Sequence, residues 1–127
     1  MEDGFLHKEL TKDIIAKAMK VHSALGPGLL ESTYERCLEY ELRLAGLQVE
    51  SQKSLSLIYG EMVIDQAYRL DLLINNTVLI EIKAVSEITE THEAQVLTYL
   101  RLTGCRVGLL INFYEKHLKD GIRRFVK

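Results

Sequence analysis

The chain has only two cysteines, Cys37 and Cys105, too few for a disulfide framework and without metal-ligand spacing. It has no apolar run near the roughly 20 residues of a membrane span, and its polar N-terminus shows no signal-peptide core. A cytoplasmic protein with reduced thiols and no membrane contact is therefore expected. Net charge is also nearly absent, at −2, so there is no overall pull towards nucleic acid. No repeat, low-complexity tract or linker interrupts the 127 residues, a length that suits one domain around one core.

What is present is ordinary for a globular protein, with 47% hydrophobic and 27% charged residues. The charge is uneven. From Arg106 onward, Arg106, Lys116, Lys119, Arg123, Arg124 and Lys127 face only Glu115 and Asp120, a local +4 that leaves −6 for the rest. Such an end either contacts phosphates or is simply a solvated face.

Apolar spacing predicts a first helix from about residue 8 to Ala24, stopped by Gly26-Pro27-Gly28. A second helix is expected from Leu30 to Ala45, ending at Gly46. Strand-like pieces follow at Val49–Lys53, Leu55–Tyr59 and Met62–Leu73, with Gly60 as a turn. Val78–Val85 reads as a further strand, Thr91–Leu102 as a third helix, and Arg106–Phe113 and Ile122–Val126 as the last strands. This order indicates one α/β layer structure with a mixed sheet.

Within Val78–Val85, only Glu81 and Lys83 are charged. At i and i+2 on a strand they share a face, while Ile80, Ile82 and Ala84 cover the other. Burying charge is costly unless it is paired or binds a metal, so these two residues point to a bound group. Asp71 precedes the Asn75-Asn76 turn, and a hairpin brings it beside the Glu81 strand. A two-residue loop sets Asp71 opposite Ile80, on the wrong face. A three-residue loop, Asn75-Asn76-Thr77, pairs Ile74 with Val78 and sets Asp71 opposite Glu81.

Converging carboxylates suit a hard cation, Mg²⁺ or Mn²⁺, held by Asp71, Glu81, the Ile82 carbonyl and water. Lys83 would then orient or deprotonate an activated water and stabilise charge forming on a phosphate. The same residues also read as a structural ion pair joining two strands. On the third helix His92, Gln95 and Tyr99 form one stripe, fit either to hold a phosphate or base or to sit at the core boundary, while Ala94, Leu97 and Leu100 face the core. Glu31 opens the second helix with Tyr34 at i+3, as a dipole partner or as a further acid reaching the metal.

Gly28-Leu29-Leu30-Glu31-Ser32-Thr33-Tyr34 resembles the signature of the GxxExxY protein family, a branch of the PD-(D/E)XK nuclease superfamily. The resemblance continues through Asp71-Leu72-Leu73, Glu81-Ile82-Lys83-Ala84-Val85, His92-Glu93-Ala94-Gln95, Tyr99 and Leu100-Arg101-Leu102-Thr103-Gly104. It runs on through Leu109-Leu110-Ile111-Asn112-Phe113 to Leu118-Lys119-Asp120-Gly121-Ile122. Leu70 stands where the superfamily pattern has proline.

The resemblance implies a restriction-endonuclease-like core, a central mixed sheet flanked by helices. It implies Asp71 and Glu81 as metal-binding acids, Lys83 as the catalytic lysine and Glu31 as the acid of the first core helix. Gln95 and Tyr99 resemble a Gln-x-x-x-Tyr motif that positions substrate. The expected activity is metal-dependent phosphodiester hydrolysis of nucleic acid. The rival readings are a binding module for nucleic acid or protein that keeps the fold without cutting, and a regulatory protein with an ion-paired core. Few accessory elements leave little surface for reading sequence, which invites a homodimer or a partner subunit.

Overall fold

The computed structural model describes residues 6–127. Two amphipathic helices open the fold, α1 (Lys8–Leu25) and α2 (Glu31–Leu44). Ile14, Ala18 and Val21 on the first, and Tyr34, Leu38 and Leu42 on the second, recur at helical spacing and are all buried. The link between the helices passes through Gly26 at φ 71° and Gly28 at φ 104°, a backbone region open to glycine and strained for other residues.

The strands are β1 (Val49–Tyr59), β2 (Met62–Ile74), β3 (Val78–Lys83), β4 (Val107–Asn112) and β5 (Ile122–Val126). They form one sheet in sequence order. Neighbours are antiparallel except β3 and β4, which run parallel. Helix α3 (Glu90–Thr103) makes the crossover that a parallel pair requires. A mixed sheet flanked by helices is thus the architecture the sequence pattern indicates.

Strand alternation divides the core in two. Leu72, Ile74, Ile80, Ile82, Leu109 and Ile111 pack with α1 and α2. Leu73, Leu79 and Leu110 face the other way, against Val96, Tyr99 and Leu100 of α3. Gly108 lets α3 settle on the sheet: a Cβ there would stand 3.0 Å from Leu79 Cδ1 and 3.1 Å from Val96 Cγ1. Each large aliphatic side chain fully buried in these layers contributes about 1.5–3 kcal/mol.

Four local expectations change. β1 is one strand rather than two pieces, with an irregularity between Leu55 and Leu57. β3 ends at Lys83 rather than Val85, because the Asn112 side chain takes over the Val85 main chain, accepting from its amide at 3.1 Å and donating to its carbonyl at 2.9 Å. On α3, Ala94 and Leu97 are exposed and the buried stripe is Val96, Tyr99 and Leu100. The basic end is not a free face throughout: Arg123 pairs with Glu93, and Arg124 bonds Thr11 Oγ1 and the Leu6 carbonyl. Among the described residues, no helix is long and apolar enough to cross a membrane.

Candidate functional site

The β2–β3 hairpin has the register that the three-residue loop requires. Ile74 pairs with Val78, Leu73 with Leu79 and Leu72 with Ile80. Asn75 and Asn76 take left-handed φ of 51° and 56°, which asparagine tolerates, and the Thr77 amide closes the turn on the Ile74 carbonyl at 2.9 Å.

Beyond Leu72 the regular ladder stops, and side chains replace it. The Asp71 amide donates to Glu81 Oε1 at 3.0 Å, and the Ile82 amide donates to Asp71 Oδ2 at 2.8 Å. Alternation also slips here: Leu70, two residues before Leu72, packs in the α3 core rather than the α1/α2 core. Each strand thus presents its carboxylate to the main chain of the other, and the two acids converge. Backbone amides left unpaired in a buried sheet are costly, which is why the carboxylates stay folded inward instead of turning to water.

Burial decides the electrostatics. Glu81 is only 3% exposed. That burial, and then the charge of Asp71, push its carboxyl up to about 8, against the lowering effects of the Asp71 amide and the Lys83 ammonium. Asp71 is also raised, chiefly by burial, although the Ile82 amide and Lys83 act against the shift. Lys83 forms no ion pair among the described residues, so the structural ion pair between Lys83 and these acids is not made.

Helix α2 brings further acids. Glu31 Oε2 accepts from the Ala84 amide at 3.2 Å, directly after Lys83. Tyr34 holds the approach to that helix: its buried hydroxyl donates to the Gly26 carbonyl at 2.5 Å and accepts from the Leu29 amide at 3.1 Å. Its ring stacks on Phe113 at 4.5 Å. Glu31, Glu35, Asp71 and Ala84 line one open cleft of about 520 Å³.

Two residues of the site were not read from the sequence. Glu35 lies beside Asp71, and its carboxyl is raised, mainly by burial, with the Asp71 charge adding. The signal was available, since Glu35 is four residues after Glu31 on the same helical face. Gln52 is the other. Its Nε2 donates to Glu35 Oε2 at 2.7 Å and to Asp71 Oδ1 at 3.3 Å. Its φ of 53° inside a strand is a strained conformation for a non-glycine residue, which no sequence pattern announces.

Helix α3 covers the far side of Glu81. Burial, followed by the charges of Glu81 and Asp71, raises the Tyr99 phenol to about 12, and Gln95 bonds that phenol. Tyr68 meets the Tyr99 ring edge-on at 6.0 Å. Gln95 and Tyr99 therefore join the acids. His92 does not: its Nδ1 accepts from the Thr89 amide at 3.0 Å, and its amide donates to Thr89 Oγ1 at 3.3 Å, a capping box that starts the helix.

The donor chemistry suits a hard cation. Glu81 spends Oε1 on an amide and keeps Oε2, whereas Asp71 spends Oδ2 on an amide and Oδ1 on the longer bond from Gln52. Two carboxylates at close quarters, both raised in pKa, are a pair whose repulsion a cation would offset. Among the described residues no three His, Cys, Asp or Glu side chains gather as a ligand set. Asp71 and Glu81 could hold a hard cation only with water completing its shell.

No curated protein and no solved structure matches this chain. A family model of the PD-(D/E)XK nuclease superfamily matches residues 8–125, which include the parted strands, α2 and α3. The chain belongs to the PD-(D/E)XK nuclease superfamily.

Proposed function

We propose that the protein is a metal-dependent nuclease of the GxxExxY branch, hydrolysing phosphodiester bonds in nucleic acid. What carries the reading is one arrangement: Asp71 and Glu81 converge across the parted strands, with Lys83 beside them and not paired to either. The pattern Gly28-x-x-Glu31-x-x-Tyr34 supports the branch, and the superfamily, whose members generally use divalent metals, supports the substrate class.

Asp71 and Glu81 would hold Mg²⁺ or Mn²⁺, with the Ile82 carbonyl and Glu31 at its margin. A bound ion would supply positive charge for polarising the scissile phosphate and acidifying a water. Lys83 orients the attacking water and offsets charge that develops on the phosphate. Gln95 and Tyr99 hold the strand, while His92, spent on the helix cap, takes no part. Gln52 keeps the Asp71 and Glu35 carboxylates in place. The reading sets the protein in the cytoplasm, where Cys37 and Cys105, both free, stay reduced.

The absence of a third gathered ligand among the described residues favours one alternative, a module that binds nucleic acid or a protein partner without cutting it. Incubation of labelled single- and double-stranded DNA and RNA with Mn²⁺, Mg²⁺ or EDTA separates the two. Cutting that EDTA abolishes supports the nuclease; binding without cutting under every condition supports the module.

A further inference from the structure

The C-terminal basic residues divide into two groups. Arg106, Arg123 and Arg124 are tied into the fold, to the Lys127 carbonyl, to Glu93, and to Thr11 and Leu6. Lys116 and Lys119 are exposed and form no ion pair among the described residues. They line a separate cavity of about 270 Å³ together with His22, Ser23 and His117, and no acidic side chain lines it. The cavity is built by a long-range contact: His22 Nε2 in the last turn of α1 bonds the Glu115 carbonyl at 2.7 Å and pins the β4–β5 connection there.

Two ammonium groups, a hydroxyl and an imidazole around a cavity larger than a phosphate are the donors that a phosphate oxyanion requires. The end of α1 opposes an anion with about half a charge, against two full lysine charges. Its position is also informative. The Phe113 amide bonds the Lys83 carbonyl at 2.8 Å, so the chain leaves the carboxylate site directly for this cavity. Lys116 comes three residues later, at most about 11 Å of extended chain.

We propose that this pocket is a second phosphate-binding site, in which Lys116 and Lys119 grip a backbone phosphate of a nucleic-acid strand that runs on from the carboxylates. It depends on the nuclease reading only for the owner of that phosphate. The test is equilibrium binding of a labelled single-stranded and a labelled duplex oligonucleotide, in EDTA, over a series of salt concentrations. Wild type is compared with the double variant Lys116→Gln/Lys119→Gln and with Lys12→Gln/Lys17→Gln, which removes the same charge from the first half and middle of α1. Thermal melting checks that each variant is folded.

The slope of log K against log salt should become shallower by about 0.7 for the single strand and about 0.9 for the duplex, one phosphate's share, in the first variant only. An unchanged slope, an equal change in both variants, or no binding by wild type overturns the proposal. A parallel titration with inorganic phosphate, followed at the His22 and His117 ring resonances, identifies a free-anion pocket. Phosphate-ion binding with an unchanged slope also overturns the backbone assignment. Because the assay contains no divalent metal, its failure leaves cleavage untouched, and a failure of cleavage leaves this result standing.

Discussion

Asp71 and Glu81 are joined through the main chain, the Asp71 amide donating to Glu81 Oε1 at 3.0 Å while the Asp71 carboxylate accepts from Ile82, one residue past Glu81, at 2.8 Å. The ladder between β2 and β3 is thereby continued by side chains where the strands part. One exchange both completes the backbone hydrogen bonding and fixes two carboxylates at a separation where they repel.

Burial of the pair, with that repulsion added, has a pH signature. The Glu81 carboxyl is raised from 4.5 to about 8 in the fold, so the folded protein holds a proton that the unfolded chain has lost over that interval. Metal-free stability should therefore be greatest below pH 4.5 as far as Glu81 is concerned. It should fall as pH rises to 8, by at most about 1.4 kcal/mol per pH unit. Glu81→Gln should flatten that fall. Urea unfolding at several pH values in EDTA measures it, and parallel curves for the two proteins would contradict it.

Gln52 links two acids from a strained backbone. Gln52→Ala deletes both bonds, which are solvent-exposed, and keeps the strain, and should destabilise the fold by about 0.5–1.5 kcal/mol. Gln52→Gly relieves the strain and should be more stable than the alanine variant by about 0.5–1 kcal/mol, the reverse of the usual order inside a strand. Chemical denaturation of both proteins reads the order directly.

The Tyr34 hydroxyl is buried and bonded to main chain on both sides of Pro27. Tyr34→Phe should cost about 1–3 kcal/mol by leaving those groups unpaired. It should also loosen the start of α2, where Glu31 reaches the Ala84 amide. Faster hydrogen exchange at Ala84, with little change at Leu79 in mid-strand, is the expected pattern.

Gly108→Ala places a methyl against Leu79 and Val96 at 3.0 and 3.1 Å. The packing of α3 on the sheet should lose about 1–3 kcal/mol, read as a lowered melting temperature.

Sequence legibility followed local signals. Asn75-Asn76-Thr77 between two apolar runs marked the hairpin but left a two- or a three-residue loop open; the Ile74–Val78 register found is the one the site required. Gly26 and Gly104 marked the helix ends at which they stand. The readings that changed depend on tertiary contact. Leu97 has core spacing but stays exposed, because α3 touches the sheet along the narrow stripe of Val96, Tyr99 and Leu100. β3 stops early because Asn112, distant in sequence, bonds Val85. Gln52 enters the site through a backbone irregularity that amino-acid type does not encode.

The most direct test of the account is the cleavage rate of Lys83→Ala against wild type in Mn²⁺, on whichever nucleic acid wild type cuts, with Mn²⁺ affinity measured on the same samples. The account predicts a loss of about 100-fold or more in rate with Mn²⁺ binding retained, because Lys83 acts on water and phosphate rather than holding the ion. Equal rates for the two folded proteins, or a wild type that binds Mn²⁺ and cuts nothing, would contradict it.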